Sequence, residues 1–371
     1  MLIVVVIVAG LLLAYANGAN DNFKGVATLF GSGTTDYRWA LTWATLTTFL
    51  GSLTAVLLAE KLLKSFSGKG LVDDSLAVNA DYTAAVALGA GLTVLLATRI
   101  GMPVSTTHGL VGALVGAGLA AGSSINLGQL GGSYFVPLLL SPPLAVFVTV
   151  AVYPLFRYAR CSLGVSEETC LCVGRQVLET VPIENSCLAL ERAEQLSLQI
   201  GDQVTCQSQY QGQVLGIQAK GVLDRMHFLS AGAVSFARGL NDTPKIAALL
   251  LVMPLLSGIA GTAMVGIVIA VGGLLSARRV AETMSQKITQ MNHGQGFTAN
   301  LMTSAIVIGA SRMGMPVSTT HISCGALFGL GAVTGQARWV TIGKILAAWV
   351  TTLPLGAALG ATTMWGIRWL H

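Results

Sequence analysis

Charged side chains are what this sequence has least of. Asp, Glu, Lys and Arg make up only 10% of its 371 residues, against 53% hydrophobic, a balance that excludes an ordinary soluble domain and marks an integral membrane protein. A phosphate-binding G-x-x-x-x-G-K-[ST] loop is missing, so nothing within the chain would drive work by nucleotide hydrolysis. Basic residues form no run and do not alternate with aromatics, which excludes a nucleic-acid surface. No zinc-type spacing occurs among the cysteines, and the five in the middle of the chain (Cys161, Cys170, Cys172, Cys187, Cys206) read as reduced thiols. The opening MLIVVVIVAGLLLAYA has no Lys or Arg before it, so the basic region of a signal peptide is absent and the stretch reads as a retained helix. Regular alternation is missing outside the middle of the chain, which excludes a membrane β-barrel.

What is present is a series of apolar stretches, at 1–16, 39–59, 83–98, 133–156 and 246–276. Several approach or exceed the roughly 20 helical residues that cross a hydrocarbon layer. The fold class is therefore an all-α polytopic, multi-pass membrane protein.

Two motifs occur twice. RIGMPVSTTH begins at Arg99 and RMGMPVSTTH at Arg312; NGANDNFKGVATL begins at Asn17 and RGLNDTPKIAALL at Arg238. Same order and nearly the same offset make this an internal duplication. It divides the chain into a first transmembrane repeat, 1–157, a soluble central insert, 158–225, and a second transmembrane repeat, 226–371. Loose alternation and Gly-Asp and Gln-Gly turn signals predict a small β-rich lobe for the insert. Interrupted hydrophobic segments at matching places in two halves point to a transporter's substrate site.

Each duplicated motif has its own chemistry. Proline is tolerated where a helix starts, so half-helices are expected to begin near Pro103 and Pro316. Ser105, Thr106, Thr107 and Ser318, Thr319, Thr320 then place hydroxyl donors beside free N–H groups at the positive end of a helix dipole, an arrangement that binds anions. Simple N-capping explains one such triplet; two near-identical copies favour a shared anion site. The pairs Asn20-Asp21 and Asn241-Asp242 put carboxylates into apolar sequence, where an ionised group signals function, and they suit a cation or a proton. His108 and His321 end the motifs and either act directly or bond to neighbouring backbone. Arg99 and Arg312 read as closing the preceding helix or reaching towards water.

These residues, the G-A-N-D near the start, the second N-D and the paired P-V-S-T-T-H, resemble the inorganic phosphate transporter (PiT) family of cation-coupled phosphate symporters. The resemblance covers both hydrophobic halves and leaves out the insert. It implies two inverted repeats with broken helices, a cytoplasmic central loop, a homodimer and a place in the cell membrane. It further implies that the Ser-Thr-Thr triplets bind phosphate and that the Asn-Asp pairs bind the coupling cation, Na⁺ or H⁺, with no other cofactor. The lysines depart from the family pattern. Sodium-coupled members tend to continue N-D-V-A-N, whereas this chain has Lys24 and Lys245 at the place of the last Asn. An ammonium one turn from Asp21 or Asp242 lies on the same helix face and could take the space of a sodium ion.

The expected function is a secondary active symporter importing inorganic phosphate, coupled to H⁺ or Na⁺. Alternatives are a sulfate permease of the same fold and, more distantly, a membrane receptor with the insert as its signalling lobe. An enzyme is disfavoured, because no nucleophile–base pair or metal ligation accompanies the histidines. Phosphate near neutral pH can still donate a hydrogen bond to a carboxylate and sulfate cannot, so Asp21 and Asp242 favour phosphate if they reach the anion.

Overall fold

Apolar chain in a bilayer has to satisfy its own backbone N–H and C=O groups, which leaves the helix as the economical solution for these stretches. The computed structural model describes residues 2–166, 168–175, 196–202, 217–253 and 258–369. The chain divides into one unit of Met1–Tyr153 with His227–His371 and a second of Pro154–Met226.

The first half supplies α1 (Leu2–Asp21), α2 (Ala27–Gly31), α3 (Tyr37–Leu58), α4 (Glu60–Ser65), α5 (Asp74–Ala77), α6 (Ala80–Arg99), α7 (Thr106–Ala120) and α8 (Leu127–Ser162). The second supplies α9 (Ala219–Ala247), α10 (Ile259–Ser276), α11 (Arg278–Glu282), α12 (His293–Met313), α13 (Thr319–Thr334) and α14 (Trp339–Trp369). Among the described residues, six helices are long and apolar enough to cross a membrane: α1, α3, α6, α8, α10 and α14. Their outward faces carry large apolar side chains such as Leu57, Leu139, Phe147 and Val350, as a lipid-facing surface requires.

The duplicated decapeptides fold identically. Gly101 and Gly314 adopt φ of +73° and +74°, the left-handed turn that ends a helix and that glycine takes without a Cβ clash. Just beyond, Met102 N–H bonds to Ala97 O and Met315 N–H to Ala310 O, both at 2.9 Å. The chain then runs extended to Ser105 and Ser318, whose side chains accept from the N–H groups of His108 and His321 at 3.1 and 3.2 Å. The helices α7 and α13 therefore start at Thr106 and Thr319, three residues later than the prolines suggest. A serine cap at Ser105 and Ser318 sets the start, and the prolines lie in the extended approach to it.

The other motif folds differently in its two copies. After Asp21, α1 ends and residues 22–26 form turns before α2, whereas α9 stays helical through Asn241 and Asp242 with Pro244 inside it and passes into a 3₁₀ segment, Ala248–Val252.

Small residues bring these helices together. A Cβ on Gly116 of α7 would lie 1.9 Å from the carbonyl oxygen of Ala357 in α14, and one on Gly18 of α1 would lie 1.9 Å from that of Ile269 in α10. Such backbone-to-backbone approach is how helices gain packing energy where lipid removes the hydrophobic drive.

In the second unit, β1 (Thr169–Arg175) pairs antiparallel with β2 (Leu196–Asp202) on one side and with β3 (Ile217–Gln218) on the other, Thr169 facing Asp202 and Cys170 facing Gln218. Cys161 and Cys170 are free thiols. Cys172 is disulfide-bonded, which corrects the expectation of a reduced thiol at that position: sequence spacing alone does not say which cysteines meet in space. Cys187 and Cys206 lie outside the described residues.

The Gly116 contact has a direct consequence. Gly116→Ala is expected to push α7 off α14 and lower stability by about 1–3 kcal/mol, the usual cost of overpacking, seen as a fall in Tm of the detergent-solubilised protein. Gly343→Ala in α14, where nothing lies within 4 Å of the new Cβ, is the control and should leave Tm unchanged.

Candidate functional site

The two repeats meet at a cluster of charges sealed inside the bundle. Among the described residues, the buried Asp, Glu, Lys and Arg side chains are Asp21, Lys24, Arg238, Asp242 and Lys245. All five come from the two Asn-Asp motifs. None can be left without partners in such surroundings, since an unpaired buried ion costs several kcal/mol.

Each lysine is held by oxygens from both halves. Lys24 Nζ donates to Asn20 Oδ1 at 2.8 Å, to the Val104 carbonyl at 2.9 Å, to Thr320 Oγ1 at 2.6 Å and, closest of all, to Asp21 Oδ1. Lys245 Nζ donates to Thr107 Oγ1 at 2.9 Å, to the Val317 carbonyl at 2.8 Å and to Asp242 Oδ1 at 3.4 Å. These sets are related by the duplication: Asp21 corresponds to Asp242, Val104 to Val317, and Thr320 to Thr107. Each ammonium thus sits in a cage of oxygens that combines its own half's carboxylate and carbonyl with the other half's threonine.

The remaining residues of the motifs complete the cluster. Thr106 Oγ1 donates to Asp21 Oδ2 at 2.8 Å, and Thr319 Oγ1 to Asp242 Oδ2 at 3.3 Å. Asn20 Nδ2 donates to Thr98 Oγ1 at 2.9 Å and to the Met102 carbonyl at 3.0 Å, tying α1 to the end of α6. Asn241 Nδ2 donates to the Val317 carbonyl at 3.1 Å, and Ser311 Oγ to Asn241 Oδ1 at 3.3 Å. The structure therefore brings together Asn20, Asp21, Lys24, Asn241, Asp242 and Lys245 with the two triplets. Within the triplets the residues divide the work. Ser105 and Ser318 cap their helices, while all four threonine hydroxyls contact the ion pairs, Thr106 and Thr319 in their own half and Thr107 and Thr320 in the other.

Arg99 and Arg312 stand apart, exposed at the last turns of α6 and α12, as expected of helix-closing arginines. His108 and His321 lie side by side instead, ring centroids 4.5 Å apart, and His321 stacks on Trp349 at 3.9 Å. Trp349 Nε1 donates to the Pro103 carbonyl at 3.0 Å, which fixes that stack against the extended segment before α7.

Arg238 is the site residue that motif reading misses. It is only 1% exposed. Its guanidinium donates to Asn17 Oδ1 at 2.9 Å and Asn22 Oδ1 at 3.1 Å, with Nε 3.7 Å from Asp242 Oδ2. A signal for it exists: Arg238 occupies the place of Asn17 in the second motif copy, and a lone arginine in a buried helix marks function. Three cations then face two carboxylates, leaving one formal positive charge in the cluster, which favours an anion.

Charges and half-helix starts enclosed in a polytopic helical bundle define a membrane transporter. The chain belongs to the phosphate transporter family, whose model matches residues 17–360. It is similar to a protein of Pyrococcus abyssi named as a phosphate permease, 26% identical across 98% of this chain and 97% of that one. It is also similar to inorganic phosphate transporter 2-1, chloroplastic, of Arabidopsis thaliana, 27% identical across 96% of this chain and 70% of that one. Among solved structures, the sodium-dependent phosphate transporter shares the fold over the full length of both chains, with a TM-score of 0.75 and 20% identity.

The sealed pairing is testable by a double-mutant cycle. Lys24→Met strands the Asp21 carboxylate and should destabilise the protein by about 3–5 kcal/mol, whereas Asp21→Asn combined with Lys24→Met should recover much of that loss. Chemical or thermal unfolding in detergent measures both; additive losses would mean that the two side chains do not interact.

Proposed function

We propose that this chain is a secondary active symporter that imports inorganic phosphate together with protons, with Lys24 and Lys245 standing permanently where a sodium-driven carrier would take up its ions. One observation carries this reading: each ammonium lies in an oxygen cage of carboxylate, backbone carbonyl and hydroxyl built from both halves. A sodium ion would have to displace a covalently tethered cation already paired with the carboxylate, so a sodium gradient has little to act on. The name of the sodium-dependent structural neighbour describes that protein, and the likeness to it is one of fold.

In this reading, the threonines of the triplets Ser105, Thr106, Thr107 and Ser318, Thr319, Thr320 present hydroxyl donors to the anion, and the N–H groups at the starts of α7 and α13 add the positive ends of two helix dipoles. Asn20 and Asp21 hold Lys24, Asp242 holds Lys245 and Asn241 bonds to Asp242, and the two carboxylates can accept a hydrogen bond from a protonated phosphate oxygen, which favours phosphate over sulfate. The extra positive charge of Arg238 offsets the anion without a metal. Matching contacts of Lys24 with Thr320 and Lys245 with Thr107 support two repeats related by a pseudo-two-fold axis, with the inverted arrangement of broken helices that lets one half move against the other. The insert, residues 158–225, lies outside the duplication and takes no part in this scheme.

Uptake of labelled phosphate and sulfate into liposomes containing the purified protein, with pH and Na⁺ gradients imposed separately, tests the substrate and the driving ion together. Phosphate uptake should follow the pH gradient and stay flat as Na⁺ rises at fixed pH; a steep rise with Na⁺ would mean that the lysines do not stand in for the coupling ions. Thr107→Val or Thr320→Val keeps the shape and deletes one hydroxyl. Each should weaken phosphate binding by about 1.5–3 kcal/mol, the range for a hydrogen bond to a charged group, measured by calorimetry on the solubilised protein.

A further inference from the structure

Proton coupling requires a group that gains and loses a proton at the place where the anion binds. The buried carboxylates are poorly suited to that task. Asp21 is held by Lys24, Asn17 and Thr106, and Asp242 by Lys245, Arg238, Asn241 and Thr319. Elsewhere in the core, His227 contacts Thr28 and Thr34 through its two ring nitrogens.

His108 and His321 differ. They are 7% and 3% exposed; among the described residues His108 Nδ1 is buried without a hydrogen-bond partner, and the His321 ring has the Leu138 backbone carbonyl as its polar neighbour, short of good hydrogen-bond geometry. Buried polar atoms in native proteins are nearly always satisfied, and an exception asks for an explanation. Each histidine directly follows a threonine that lies on an opposing ion pair, Thr107 on Lys245 and Thr320 on Lys24. On another side the two rings border an apolar pocket of about 490 Å³, lined also by Leu138, Pro142, Phe328 and Trp349 and by the outward-facing Leu139 and Val350. The pair thus lies between the charge cluster and an apolar pocket.

Resting on the phosphate and proton reading above, we propose that His108 and His321 together form the site of the coupling proton, and that phosphate arriving at the starts of α7 and α13 makes its uptake favourable. The charges facing the rings are ammonium groups, Lys245 towards His108 and Lys24 towards His321, and each ring also faces the other. The other neighbours, Leu138 and Pro142 from α8, Phe328 from α13 and Trp349 from α14, are uncharged. In the anion-free protein burial and then the two nearby cations disfavour an imidazolium, against which His321 has only the Leu138 carbonyl, so the pair stays neutral. An anion one or two residues away reverses the local field. A proton then binds a ring-nitrogen lone pair, travels with the anion and leaves to water on the other side, with no heavy-atom bond made or broken. Because linkage is reciprocal, the same proton tightens the hold on phosphate.

Two measurements test the pair. In ¹⁵N-histidine NMR of the solubilised wild-type protein at pH 6, with resonances assigned from the single variants His108→Gln and His321→Gln, saturating phosphate should move one resonance of the pair from the neutral to the imidazolium position. In liposomes, His108→Gln/His321→Gln should lower the steady-state ratio of internal to external phosphate under a pH gradient from well above tenfold towards one. Imidazoles that stay neutral at saturating phosphate, or a double variant that still concentrates phosphate as the wild type does, overturn this inference alone. A wild-type protein that binds no phosphate, or that concentrates it on a sodium gradient, overturns the proposed function and this inference with it.

Discussion

An ionised side chain cannot be left alone in an apolar bundle, and the rest of this structure follows from how that constraint is met. Asp21 and Asp242 are sealed from water, so each needs a cation at contact distance and donors for its remaining lone pairs. The cations come from the same motif, three residues on, and the donors come from threonines at the start of a helix in α7 or α13. Since Lys24 reaches Thr320 and Lys245 reaches Thr107, neither repeat can satisfy its charges without the other. The cluster is therefore the interface between the halves as well as their chemical centre. Any movement of one repeat against the other has to exchange these contacts for new ones.

The duplication is kept in its hydrogen-bond logic and broken in its charge. Left-handed glycine, extended approach, serine cap and threonine pair recur residue for residue at Gly101 to Thr107 and Gly314 to Thr320. Asn17, by contrast, has Arg238 as its counterpart, and the two side chains bond to each other. One amide and one guanidinium on either side of the centre give the site a polarity that two identical copies could not have. The backbone shows the same asymmetry: α1 stops at Asp21, whereas α9 continues past Asp242, although Pro244 removes an N–H from its ladder. Two related but unequal halves are suited to a carrier that distinguishes one face of the membrane from the other.

Close approach of the helices makes this polar centre possible. Small residues at Gly116 and Gly18 let α7 touch α14 and α1 touch α10, which packs closely the helices that carry Thr106, Thr107, Asn20 and Asp21.

Composition and periodicity alone determined that the chain is polytopic and helical, because a run of apolar residues in lipid has few ways to satisfy its backbone. The repeated motifs determined that it is a duplicated carrier and named most of the central residues, since an Asp in apolar sequence and a doubled S-T-T each carry a chemical meaning without coordinates. Proline and serine both signal a helix start, so sequence misplaces α7 and α13 by three residues, and only the φ and ψ of Ser105 and Ser318 show which signal acts. Arg238 escapes a motif reading because its counterpart in the first copy, Asn17, is of a different residue type; its importance lies in a three-dimensional bond to that counterpart. Where the lysines point, that the histidines meet, and that each half completes the other's oxygen cage were decided by tertiary structure alone. A flexible side chain and a contact between residues more than two hundred positions apart leave no trace in local sequence.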